Sequence, residues 1–162
     1  MISRGILICR WPLFPRIRHN TLRMHQNIEA AIAFVFNKDQ FLILKRMSWQ
    51  FAGSTWGLVG GKPEAGESPE AALRRELLEE IGVDTDEHRV VELGVHLLHY
   101  PERDWNVAVY RVELSQEINI QPNAEEFVAV EWINVDDCMK REDTMEGLQQ
   151  LLSTLGETLK SA

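Results

Sequence analysis

Apolar residues recur along this chain with two different periods, and the switches between them mark out its elements. Asn27–Phe36 is a β-branched and apolar run that reads as a buried strand. Asn37, Lys38 and Asp39 form a turn, and Phe41–Arg46 returns as the second arm of a hairpin. Met47–Thr55 is a loop, followed by a short strand at Trp56–Val59. Pro69–Ile81 changes to helical spacing, with Leu73, Leu77 and Ile81 four residues apart. Strands return at Arg89–Tyr100 and Trp105–Leu114, linked by Pro101–Asp104, and again at Phe127–Val135. Asp143–Leu159 is amphipathic, with Leu148, Leu151, Leu152, Leu155 and Leu159 on one stripe, and reads as a helix that simply covers a sheet. This order of strands, helix, strands and helix suits the α/β class, a mixed β-sheet sandwiched between α-helices.

The first helix has both ends written into it. Ser68 can cap the free amides, Pro69 suits the first helical position, and Gly82 suits the left-handed residue at the end. At about 100° per residue, Glu76, Glu79 and Glu80 fall within an arc of about 100°, beside the leucine stripe. Three crowded carboxylates repel one another, and a divalent cation relieves that repulsion; hard oxygen ligands suit Mg²⁺ or Mn²⁺. Arg75 lies one turn before Glu79, the less favourable order for a simple helix ion pair, which favours a positioning role.

From Gly61 the chain reads GKPEAGESPEAALRRELLEEIGV to Val83. Gly61, Glu67, Arg75-Glu76-Leu77, Glu79-Glu80 and Gly82-Val83 stand at the spacing G-x5-E-x7-R-E-U-x-E-E-x-G-U, where U is aliphatic. The segment resembles the Nudix box, and the chain resembles a MutT-like, single-domain Nudix hydrolase over roughly Ile28–Leu159. The resemblance implies the Nudix α/β/α fold and a loop–helix–loop that holds Mg²⁺, with Mn²⁺ as substitute, against a diphosphate. It implies that Gly60, through its carbonyl, with Glu76, Glu79 and Glu80, ligates the metal. Glu76 is a further ligand or the base toward water, Arg75 orients Glu79, and Glu67 braces the loop. Glu126, ahead of Trp132, matches the segment that supplies an acid from outside the box, with Glu125 as second choice. Arg46 matches a phosphate-facing arginine at the end of the second strand, ahead of Lys45, and Gly61 and Lys62 complete the substrate-binding set. One departure is Val59, where many relatives have proline, so the loop before the box is expected to sit differently.

Composition narrows the function further. At 162 residues the chain has the length of one domain with a real core. A net charge of −8 argues against general nucleic-acid binding but not against phosphate substrates, for which a metal carries the positive charge. Cys9 and Cys138 read as lone reduced thiols, and His96 and His99 as ordinary strand residues, with lining of the substrate cleft as the alternative. Trp49 and Phe51 read as packed locally under their loop, with base stacking as the alternative. No apolar run is long enough for a membrane span.

Residues 1–27 form a basic segment of unclear role ahead of a Nudix domain over 28–160. The first 23 residues hold Arg4, Arg10, Arg16, Arg18 and Arg23 and no acid. They read as a leader with Met24 as effective start, a docked arm or an organelle transit peptide, in that order. The expected location is cytoplasmic, with an organelle as the alternative. The expected activity is Mg²⁺-dependent cleavage of a nucleoside diphosphate linkage, foremost in (deoxy)nucleoside triphosphates or modified nucleotides, by a monomer or homodimer. The alternatives are hydrolysis of nucleotide sugars or dinucleoside polyphosphates, and a non-catalytic nucleotide-binding module.

Overall fold

A computed structural model of the chain describes residues 27–161. The arginines of the basic segment, Met24 and Cys9 lie outside the described residues, and so do the three readings of that segment. The elements are β1 (Ala30–Asn37), β2 (Gln40–Arg46), β3 (Trp56–Gly57), β4 (Val59–Gly61), α1 (Pro69–Ile81), β5 (Arg89–Leu98), β6 (Trp105–Glu113), β7 (Phe127–Ile133), α2 (Val135–Cys138) and α3 (Glu146–Lys160).

Strand β1 is the centre of a seven-stranded mixed sheet. It runs parallel to β6, from Ala30 opposite Val107 to Phe36 opposite Glu113. Its other edge is shared: β2 pairs with its end at Phe36, and β4 pairs with its start at Ala31–Ala33, both antiparallel. Strands β3 and β7 both pair with β2, and β5 pairs with β6. The period of two in β1 sorts its side chains into two cores. Ala31, Ala33 and Val35 join Leu73, Leu77 and Ile81 of α1. Phe34 and Phe36 join Leu148, Leu151, Leu152, Leu155 and Leu159 of α3, so the whole predicted stripe is buried. Small residues face α1 and large ones face α3, which lets α1 approach β1 closely. The result is the expected mixed sheet between helices.

The boundaries differ from the sequence pattern where tertiary contacts decide them. The first strand starts at Ala30 rather than Asn27. Glu29 before it is tied to β6 and the turn ahead of it instead, by its amide to the Asn106 carbonyl at 2.9 Å and by its carboxylate to the Asn106 amide at 3.2 Å and to Arg103 at 2.7 Å. The single strand expected at Trp56–Val59 is two strands, β3 on β2 and β4 on β1. Gly60 makes the transfer, at φ 140° and so close to β1 that a Cβ would collide with the Ala31 carbonyl. Val59 is fully buried in the core beneath α1 and pairs with Ala33.

Strand β7 stops at Ile133 because Asn134 accepts the Asp137 amide at 2.8 Å and starts α2, an element the strand pattern concealed. Helix α3 starts at Glu146 rather than Asp143, since Asp143 is drawn to Trp56: its carbonyl accepts the Trp56 amide and its carboxylate accepts Trp56 Nε1 at 3.0 Å. Trp49 does not pack under its loop but is 73% exposed, while Phe51 is 58% exposed and meets Tyr100 edge-on at 5.9 Å. Cys138 is a free, buried thiol, and burial raises it to about 11. Among the described residues no helix is long and apolar enough to cross a membrane.

Candidate active site

Helix α1 is anchored at both ends by the residues its sequence supplies. The Ser68 hydroxyl accepts the Ala71 amide at 3.1 Å, and Gly82 closes the helix at φ 70° with its amide on the Leu77 and Leu78 carbonyls. The leucine stripe fixes its rotation against β1 and β4. That rotation turns Glu80 inward to 4% exposure, while Glu79 stays outside.

The loop between β4 and α1 is organised by one guanidinium. Arg75 grips both oxygens of Glu67, Nε to Oε1 at 3.1 Å and Nη2 to Oε2 at 3.0 Å, and donates to the Lys62 carbonyl at 3.2 Å. Glu67 also accepts the Glu64 amide at 2.9 Å, and both donors hold its carboxyl below the usual range. Arg75 Nη1 reaches Glu76 at 2.8 Å and Glu79 at 3.3 Å. Arg75 therefore positions Glu67 and Glu76 more closely than Glu79, the residue it was expected to orient. The acids in turn hold the guanidinium firmly charged, above its ordinary value.

Glu80 accepts the Gly60 amide at 3.0 Å. Burial pushes its carboxyl up to about 8, and the neighbouring charges of Glu76 and Glu126 add to the rise, opposed by the Gly60 amide and by Arg46. Glu80 is thus met by Glu76 one helical turn before it and by Gly60, Glu126 and Arg46 from other parts of the chain. Glu126 is held by Asn123 Nδ2 at 2.9 Å, and the Asn123 amide donates to the Glu80 carbonyl at 2.8 Å, which ties this loop to the end of α1. Glu125 is exposed, its amide on the Asn123 side chain at 3.1 Å. Lys45 points elsewhere, its ammonium 5.7 Å from the Trp56 ring. Arg46 Nε is buried with no hydrogen-bond partner among the described residues.

This donor set suits a hard divalent cation. Glu80 is a buried carboxylate with the charges of two other acids nearby, and the missing Cβ of Gly61 leaves the place that the Glu76 carboxylate occupies. As the side chains lie, no group of three or more His, Cys, Asp or Glu among the described residues is gathered for an ion. The hydrogen bonds show why: Arg75 holds Glu76 and Glu79, while Glu80 is turned to the Gly60 amide rather than to the carbonyl expected to act beside it.

On the other side of Gly60 and Gly61 lies a cavity of about 390 Å³. Arg46 and Lys62 stand on its wall with the two glycines, and Phe51, Tyr100, Trp105 and Leu148 enclose the rest. Lys62 Nζ lies 5.1 Å from the Trp105 ring centre, and the Arg103 guanidinium 3.7 Å from it. Tyr100 and the start of α3 were not foreseen as part of the site. Gly147 in the first turn of α3 was the available signal, since a helix that only covers a sheet has no need of glycine there. His96 and His99, read as ordinary strand residues, are not on this wall: His96 bonds the Leu93 carbonyl at 3.2 Å, and His99 bonds Asp104 at 2.8 Å across the hairpin. A wider groove of about 720 Å³ borders Lys38, Arg111, Asp136 and Lys160, far along the sheet, and contains none of the box residues.

Comparison with known proteins places this geometry. The NUDIX domain model matches residues 26–155. The chain is 38% identical over 74 residues to an 8-oxo-dGTP diphosphatase of Proteus vulgaris, a match covering 46% of this chain and 64% of that protein. It is 40% identical over 57 residues to an 8-oxo-dGTP diphosphatase of Haemophilus influenzae, covering 35% and 42%. Both matches thus span less than two thirds of the relative. The crystal structure of a MutT protein from Methanosarcina mazei superposes with a TM-score of 0.68 at 19% identity, covering 83% of this chain and 96% of that one, and so shares the fold. The box, the sheet that carries it and these likenesses together establish that the chain belongs to the Nudix family.

Proposed function

We propose that this protein hydrolyses the diphosphate linkage of (deoxy)nucleoside triphosphates, base-modified purine nucleotides among them, by attack of water on phosphorus. One observation carries the reading: the Gly60–Gly61 backbone separates the acidic cluster from the cavity and borders both. A ligand lying across it has its phosphates at the carboxylates and its base among apolar and aromatic side chains. The 8-oxo-dGTP diphosphatase relatives support the substrate class.

Glu76, Glu79, Glu80 and the Gly60 carbonyl would hold Mg²⁺, or Mn²⁺ in its place. The cation supplies positive charge opposite the phosphate oxygens and makes water a stronger acid. Glu76, with Glu126 as the acid from outside the box, is within the cluster to accept a proton from water. Arg46, whose Nε lacks a partner among the described residues, takes a phosphate oxygen at the cavity wall. Arg75 and Glu67 keep the loop between β4 and α1 in the shape that presents these groups.

The test is product analysis with Mg²⁺ on nucleoside triphosphates, oxidised purine nucleotides, nucleotide sugars and dinucleoside polyphosphates. A triphosphate is expected to give monophosphate and pyrophosphate, at a rate at least about 100-fold lower in Glu80→Gln. Turnover confined to nucleotide sugars or dinucleoside polyphosphates would replace the substrate class. A folded protein that binds Mg²⁺ and a nucleotide but turns over none of the panel would point to a binding module.

A further inference from the structure

The far end of the cavity is built around one hydroxyl. Tyr100 stands just after β5, and its Oη accepts the Gly147 amide in the first turn of α3 at 3.2 Å. A Cβ at Gly147 would collide with that oxygen, so the tyrosine can lie against the helix only because residue 147 is glycine. Phe51 meets the Tyr100 ring from the loop after β2. The side chains on the cavity wall that can hydrogen-bond are Arg46 and Lys62, which accompany Gly60 and Gly61, the Trp105 indole, whose ring is engaged by Lys62 and Arg103, and Tyr100 beside α3. Its other neighbours, Leu98, Leu148 and Leu151, offer no hydrogen bond. The hydroxyl oxygen accepts a hydrogen bond from the Gly147 amide, and its own proton has no acceptor among the described residues. Burial holds the phenol above its ordinary value, so it is a donor throughout the neutral range.

We propose that Tyr100 is a specificity residue, donating its hydroxyl proton to a carbonyl oxygen on the base and so favouring oxo-substituted bases over amino-substituted ones. The inference rests on the nucleotide reading above and adds the base edge to it. An amino group at the same place offers the phenol proton no acceptor and leaves that proton unsatisfied in a largely apolar site, where the cost is greatest. With the phosphates at Arg46 and the two glycines, the base lies toward Phe51 and α3, and its edge meets Tyr100 Oη.

Inosine triphosphate and adenosine triphosphate, which carry an oxo and an amino group at the same purine position, test this. Wild type, Tyr100→Phe and Gly147→Ala are compared in Mg²⁺ by steady-state kinetics, with calorimetric binding and thermal melting alongside. Wild type is expected to show the lower KM and Kd for the oxo nucleotide. Tyr100→Phe should raise KM for that nucleotide alone by about three- to tenfold, with kcat within about twofold. Gly147→Ala should remove the same preference by pushing the hydroxyl aside. Equal effects on both nucleotides, a loss of kcat without change in KM, or no effect in either variant would overturn the role of Tyr100 while leaving the nucleotide reading intact. A folded wild type that neither binds nor hydrolyses either nucleotide would overturn both.

Discussion

The Gly60 amide donates to Glu80 Oε2 at 3.0 Å, joining two residues of the box region across the turn that separates strand from helix. That bond satisfies one lone pair of a carboxylate otherwise buried among acids. Burial nevertheless raises the Glu80 carboxyl to about 8, against the lowering effect of this bond.

The first prediction concerns pH in the metal-free state. Between the unfolded value, near 4.5, and about 8, the folded protein keeps a proton on Glu80 that the unfolded chain releases. Stability in chelator should therefore fall as pH rises across that window and level off above it. Thermal melts at pH 5 to 9 should show the decline in wild type and a flatter profile in Glu80→Gln, with a melting temperature several degrees higher than wild type at pH 8. Parallel profiles in the two proteins would remove Glu80 as the source.

Arg46 separates substrate binding from chemistry. Its buried Nε has no partner among the described residues and is free to meet a phosphate oxygen. Arg46→Ala should raise KM for a triphosphate by about 10- to 100-fold, the loss of a charge-assisted bond, and Arg46→Lys should recover only part of it because one ammonium cannot reproduce the fork. An unchanged KM with lowered kcat would place Arg46 in the chemical step instead.

Arg75 should act through the loop. It binds Glu67, Glu76, Glu79 and the Lys62 carbonyl at once, so Arg75→Ala leaves the acids unopposed. Activity should fall by about 10- to 1,000-fold, and the Mg²⁺ concentration for half-maximal rate should change with it. Glu67→Gln should show a smaller effect in the same direction, and in the double variant the losses should not multiply, because both act on one network.

Gly60→Ala should be among the most destabilising single changes. The residue sits at φ 140° and its missing Cβ faces the Ala31 carbonyl, so both backbone strain and a clash with a fixed neighbour oppose a side chain. Urea unfolding should show a loss of about 2–4 kcal/mol. A loss below about 0.5 kcal/mol would mean that β4 can leave β1 without consequence.

Much of this protein was legible in its sequence because the relevant physics is local. The capping of α1 by Ser68 and Gly82, its leucine stripe and the arc of Glu76, Glu79 and Glu80 all follow from helical period and end chemistry within some fifteen residues. The alternation that puts Phe34 and Ala33 on opposite faces of β1 is equally short-range. Tertiary structure decided what depends on neighbours distant in the chain. It split Trp56–Val59 between two partners, delayed α3 by giving Asp143 to Trp56, and brought Arg46, Glu126 and Gly60 around Glu80. It also turned Tyr100 and Gly147, 47 positions apart, into one end of a cavity. No period or spacing encodes such meetings, because they depend on how β1, β2 and β6 order themselves in the sheet and on how far α1 and α3 stand from it.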